Sequence, residues 1–160
     1  MQNNIQLSTH FQLKEFIESR TVQQYGIANA PPAEAVENLK ALCLHTLEPL
    51  REAMGLPIII TSGYRCKELN ERIVHHSRKS QHMGGQAADF YVGKGSRDLL
   101  IKAFRQIIQD DSIDFDQLIL YPSFIHVSYV SRDKNRHSII EANGNGTYCG
   151  LSRAQALALL

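Results

Sequence analysis

Ten residues constrain this chain more than any others: Ser80-Gln81-His82-Met83-Gly84-Gly85-Gln86-Ala87-Ala88-Asp89. They hold a histidine and an aspartate seven positions apart, with paired glycines and small side chains between. A short segment running into a strand brings such a pair to one point only if its backbone folds tightly. Gly84 and Gly85 permit that, because glycine reaches backbone angles closed to other residues. An imidazole beside a carboxylate suits a borderline divalent metal, zinc first. Two ligands do not complete a zinc site. A third candidate lies in Phe124-Ile125-His126-Val127-Ser128-Tyr129. That stretch alternates as a strand does, with His126 on the face of Phe124 and Ser128 and with Ile125, Val127 and Tyr129 on the other. His82, Asp89 and His126 would leave a fourth tetrahedral position to water, as in a catalytic rather than a structural zinc site.

The neighbouring residues extend the pattern. Ile58-Ile59-Ile60-Thr61-Ser62-Gly63-Tyr64-Arg65, Asn70, the Ser-x-His-x-x-Gly-x-Ala-x-Asp run of residues 80–89 and His126-Val127-Ser128 stand in that order. Together they resemble the zinc D-alanyl-D-alanine peptidase family of cell-wall carboxypeptidases, vancomycin-resistance dipeptidases and phage endolysins, whose fold hedgehog signalling domains share. The likeness runs from about Phe11 to Tyr129 and is closest to short, single-domain, phage- and prophage-type members. It implies one zinc ion on His82, Asp89 and His126, and hydrolysis of a D-amino-acid-containing bond in peptidoglycan stem peptides, by a carboxypeptidase or an endopeptidase. It also implies that Arg65 faces the metal and holds a substrate carboxylate or the polarised carbonyl oxygen, a task suited to its planar fork. The plain alternative for Arg65 is a surface arginine. Ser80 either steadies the site and meets substrate or is a loop serine.

One position departs from the family. Where a Glu or Asp would precede the third ligand as general base, this chain has Tyr121. A phenol with a pKa near ~10 is a poor base at neutral pH, though it can donate a hydrogen bond to an oxyanion. Asp114, Asp116 and Glu141 are the nearby acids. The expectation is that Asp116 or Glu141 takes the proton, with Tyr121 as a wall or an oxyanion donor. The other reading is a zinc-binding module of the same fold, weak or inactive in hydrolysis, that binds cell wall or a protein partner. His10, His45, His75, His76 and His137 carry no motif and are given no role.

At 160 residues the chain is expected to form one domain over residues 1–160, large enough to bury about two-thirds of its unfolded surface. Its 43% hydrophobic and 21% charged residues are those of an ordinary globule. A net charge of +1 gives no electrostatic case for nucleic acid or an anionic membrane. Cys43, Cys66 and Cys149 read as reduced thiols, being odd in number and without C-x-x-C spacing. Met1-Gln2-Asn3-Asn4 has neither a basic region nor an apolar core, and no apolar run approaches membrane-spanning length. The expectation is therefore a monomer made in the cytoplasm and brought to the cell wall by release or another export system.

Periodicity supplies the elements. Residues 1–7 read as loose, and Ser8 or Thr9 as the cap of a short helix through Ile17 with an edge of Leu13, Phe16 and Ile17. After the Pro31-Pro32 breaker, Val36, Leu39, Leu42, Cys43, Leu47 and Leu50 predict a helix that Pro49 bends near its end. Ile58-Ile59-Ile60 reads as a strand buried on both faces, and residues 67–76 as a helix. Residues 77–81 form a polar loop presenting His82, with Asp89 at or near the start of a strand through Val92. Ser96 caps a helix striped by Leu99, Leu100, Ala103, Phe104, Ile107 and Ile108. Residues 116–120 and 124–130 pair as strands around Tyr121-Pro122-Ser123, Ile139-Ile140 adds another strand, and residues 150–160 form a helical tail. Helices packed on one side of a small, mostly antiparallel sheet make an α+β fold.

Overall fold

The computed structural model describes residues 4–73 and 77–159. Its centre is a six-stranded sheet: β1 (Ile58–Ser62), β2 (Ala87–Val92), β3 (Gln117–Leu120), β4 (Ile125–Ser128), β5 (Ser138–Ala142) and β6 (Tyr148–Gly150), in spatial order β1-β2-β4-β3-β5-β6. Only the β3–β5 pair is parallel. The α+β expectation holds.

Alternation divides the sheet into two faces. Ala88, Phe90 and Val92 of β2, Leu118 and Leu120 of β3, and Ile125 and Val127 of β4 are buried in one core. Against them pack Leu100, Ala103, Phe104 and Ile107 from α6 (Arg97–Gln109), capped by Ser96 as its sequence requires. Asp89, Ile119 and His126 alternate with these residues and so project from the opposite face. Burying polar groups costs free energy unless they are paired, so this second face is where a site can form.

The long helical region begins as α3 (Ala33–Leu42), widens into a π-turn (Cys43–Leu47) and continues as α4 (Glu48–Met54). The predicted bend at Pro49 takes this form. Proline lacks an N–H and crowds the carbonyl four residues back, that of His45. The widened turn relieves this, and the His45 carbonyl accepts instead from Asp114 N at 3.0 Å. Thr46 Oγ1 donates to the Asp114 carbonyl beside it, fixing the segment that leads into β3.

Several local expectations are corrected. Residues 5–7 are tied down rather than loose: Leu7 is buried, and Leu13 N donates to the Ile5 carbonyl at 2.8 Å. The first helix, α1 (Leu13–Ile17), starts at Gln12, whose N–H donates to Glu15 Oε2, while Ser8 Oγ binds Glu48 Oε1. A helix without apolar periodicity, α2 (Arg20–Tyr25), follows Ser19, whose hydroxyl accepts from Val22 N. Because β1 is an edge strand, Ile58 is buried but Ile59 is 39% exposed, so the triple isoleucine is covered on one face only. Helix α5 spans Lys67–Glu71 with Arg72 as its C-cap, so it stops short of the predicted span at Arg72 and Ile73, while residues 74–76, with His75 and His76, fall outside the described residues. The tail contributes α7 (Arg153–Leu157), capped by Ser152. Cys43, Cys66 and Cys149 are free thiols, the first fully buried.

Candidate metal centre

The register of β2 against β4 makes Asp89 and His126 direct partners across the sheet. Since both alternate with core residues, their side chains emerge together on the polar face. His82 arrives from a 3-10 turn (Gln81–Gly84) leading into β2, with the Ser80 hydroxyl accepting from His82 N at 3.3 Å. Of the two glycines, Gly85 is the one the turn requires. Its φ is +70°, and a Cβ there would run into the Ala35 carbonyl of α3, whereas Gly84 has ordinary room.

Three ligand atoms converge. Those of His82, Asp89 and His126 all lie within 4.8 Å of one another. Asp89 Oδ1 is 3.3 Å from His82 Nε2 and 2.8 Å from His126 Nδ1. A tetrahedral ion with bonds near ~2.1 Å sets its ligands ~3.4 Å apart, which the His82–Asp89 separation matches, while a bound ion would draw the other ligand atoms into place. Protonation states agree. His82 Nδ1 is 2.7 Å from the Gly63 carbonyl, which can only accept, so the proton sits on Nδ1 and Nε2 offers its lone pair. Burial pushes the His82 imidazole down, against the pull of Asp89, and favours the neutral form. Burial alone would push the Asp89 carboxyl up, but the two imidazoles outweigh it and hold it well below the usual carboxylate range. Imidazole nitrogens and a carboxylate are zinc donors.

Arg65 joins this cluster. The pairing of β1 with β2 is irregular between Ile60 and Ser62, with Ser62 opposite Asp89. Such a bulge redirects the chain, and Arg65 follows three residues on. Its Nη2 donates to Asp89 Oδ2 at 3.1 Å and its Nε to Ser62 Oγ at 3.0 Å. Only 11% of the side chain is exposed, so it is no surface arginine. Asn29, on no motif, braces the segment: its side chain bridges the Ile17 and Tyr64 carbonyls and Cys66 N.

These residues form the floor of a cleft of about 1180 Å³. Ser80, Gln81 and Lys79 stand on one side, Arg136 and Gln117 at one end, and Tyr121, Phe124 and Tyr148 at the other. Tyr121 stacks on Phe124, with ring centroids 4.3 Å apart, and its hydroxyl lies 3.4 Å from that of Tyr148. Burial and then the Tyr148 contact push the Tyr121 phenol up. It can donate a hydrogen bond but does not act as a base near neutral pH.

The acids expected to supply a base lie elsewhere. Asp116 is 1% exposed and is not among the cleft-lining residues. Its oxygens take donors from Arg136 Nε, Nη2 and N, from Gln81 Nε2 at 2.9 Å and from Ser128 Oγ at 3.3 Å. Burial would raise its pKa, but these donors, the Arg136 side chain foremost, hold it well below the usual range. Such a carboxylate has no lone pair left for a proton from water, and the geometry gives no support to Asp116 as a base. Glu141 faces Arg97 at 3.7 Å and Asp114 faces His137 at 2.9 Å; neither lines the cleft. Among the described lining residues the only carboxylate is Asp89. The Arg136–Asp116 clamp escaped the sequence reading because a loop arginine and a strand-edge aspartate twenty residues apart carry no local pattern.

A His-Asp-His cluster on the polar face of an α+β sheet is a candidate metal centre. Residues 9–128 match Peptidase M15, and the chain belongs to that family of metallopeptidases. The match bears out the resemblance carried by residues 80–89. No curated protein matches the chain. Among the described residues, no helix is long and apolar enough to cross a membrane.

Proposed function

We propose that this chain is a zinc peptidase that hydrolyses a D-amino-acid-containing bond in peptidoglycan stem peptides. The observation that carries this reading is the convergence of one ligand atom each from His82, Asp89 and His126, within 4.8 Å of one another, at the floor of an open cleft. These atoms would hold the ion. When bound there, zinc acts as a Lewis acid toward the scissile carbonyl and lowers the pKa of water.

The rest falls to the chain. The Gly63 carbonyl fixes the His82 ring, and Arg65 holds Asp89 by its second oxygen while its remaining donors serve a substrate carboxylate or the carbonyl oxygen. Tyr121, its phenol kept protonated, donates to the negative charge that develops on that oxygen. Ser80 caps the turn that presents His82 and lines the cleft beside it, where it can meet substrate. The protein works as a monomer on cell wall that it reaches after release or export.

A second reading, a metal-binding module that hydrolyses poorly, is favoured by one observation: no carboxylate besides Asp89 lines the cleft among the described residues. Digestion of purified sacculi with mass analysis of released muropeptides decides between the two. The peptidase reading predicts products whose masses identify the bond cut. Silence from the wild type, with release by Tyr121→Glu, would establish the second reading, because a positioned general base is worth typically 10²–10⁴-fold.

A further inference from the structure

The wall of the cleft beyond Tyr121 is built by residues outside the matched range 9–128. β5 and β6 form a hairpin at the sheet edge, and its loop carries Gly144 and Gly146 at φ of +75° and +87°. The loop seats against the Tyr121-Pro122 turn so closely that a Cβ on Gly144 would lie 3.0 Å from Pro122 Cγ. Tyr148, at the start of β6, meets Tyr121 edge-on, with centroids 6.2 Å apart and planes at 88°. Tyr148 is 54% exposed and is the one exposed large hydrophobic residue among those lining the cleft. Asn145 and Thr147 flank it with an amide and a hydroxyl.

This wall carries no formal charge. Lining residues 121–124 and 142–148 include no ionisable group except the two phenols. The cations among the described lining residues are Lys79, Arg65, paired with Asp89, and Arg136, clamped to Asp116 beside Gln117. Four strand residues, roughly 13 Å, separate Gln117 from Tyr121. A ligand seated on this wall meets no charged group of residues 121–124 and 142–148; it presents a flat apolar face to Tyr148 and polar groups at its rim to Asn145 and Thr147. An apolar side chain would want a closed, dry pocket, which a half-exposed ring does not provide. A pyranose ring fits both requirements, with C–H bonds on its face and hydroxyl and acetamido groups at its edge.

We propose that Tyr148 is a specificity-determining residue that stacks on a sugar of the glycan strand, so that the site takes stem peptides still attached to glycan in preference to free peptides. This inference rests on the reading of peptidoglycan as substrate. The first test is independent of catalysis: a chemical-shift titration of the zinc-loaded protein with a tetramer of N-acetylglucosamine. Saturable shifts centred on residues 121–124 and 142–148 are expected. Tyr148→Ala should weaken the binding about tenfold, and Tyr148→Phe, which keeps the ring, should retain most of it. No saturable binding, or equal binding by Tyr148→Ala, overturns the proposal. The second test compares kcat/KM on glycan-linked and amidase-released stem peptides. Tyr148→Ala should lower the glycan-linked to free ratio about tenfold, through KM; an equal loss on both substrates would mean that Tyr148 acts only through Tyr121, and contradicts the inference. A protein that cuts neither substrate sinks the peptidase reading, while the sugar titration still decides the role of Tyr148.

Discussion

Arg65 illustrates how one side chain serves fold and chemistry together. Its guanidinium, almost buried, spends Nη2 on Asp89 and Nε on Ser62. Removing it takes away the electrostatic hold on Asp89 and, on the proposed function, a donor to substrate. Arg65→Ala is expected to lower kcat/KM by about two orders of magnitude, roughly 3 kcal/mol of transition-state stabilisation, while zinc remains bound. Kinetics paired with metal analysis checks this; normal kinetics would remove Arg65 from the mechanism. Gly85 is the residue on which the approach of His82 depends. Gly85→Ala combines a left-handed backbone, which costs of order 1–3 kcal/mol, with a collision against the Ala35 carbonyl. Urea unfolding should show a loss of about 2 kcal/mol or more, and Gly84→Ala, whose Cβ would make only ordinary contacts with the Gln86 side chain, a much smaller one. Equal losses would contradict the assignment of the turn.

Among elements, the Asp116 clamp ties the sheet to the segment before β5 and to the turn bearing His82. Asp116→Asn leaves some donors from Arg136, Gln81 and Ser128 unmatched and should cost roughly 2–3 kcal/mol. Its activity under conditions where it is folded should stay close to that of the wild type; abolished activity in the folded variant would make Asp116 the base after all. The pH dependence has a definite sign. Folding depresses the Asp116 pKa, so its contribution is complete above the unfolded value of ~3.9 and is lost as pH falls through the folded one. Acid should therefore destabilise the wild type below about pH 4 more steeply than Asp116→Asn, as pH-dependent chemical denaturation would show. Elements were legible in the sequence to the extent that burial was periodic. The α6 stripe and the alternation of β4 come from one-sided packing and read directly. β6, three exposed residues long, and α2, with no buried residue, carry no such pattern. The π-turn is a response to Pro49 whose form depends on Asp114 being at hand to take the His45 carbonyl.

For the whole molecule, the site is a consequence of the sheet's two-facedness. Strand register brings Asp89 and His126 together, and the ten-residue motif brings His82 to them. The motif and the alternation that sets His126 on one face could be read from the sequence, because both are local; the β2–β4 register that joins Asp89 to His126 across 37 residues could not. That Arg65 faces the cluster follows from the resemblance, but its pairing with Asp89 and Ser62 is not legible, and neither is the aromatic wall, which depends on a hairpin distant in the chain. If the three ligands hold an ion only when folded, zinc must stabilise the fold by mass action, by about 2.7 kcal/mol at a free concentration 100 times the dissociation constant. Chelation should lower the melting temperature and zinc readdition restore it. The most direct measurement is the zinc content of the purified chain beside that of His82→Ala, with circular dichroism showing both to be folded. The account predicts close to one zinc per chain in the wild type and loss of most of it in the variant; full zinc retention by folded His82→Ala would contradict it.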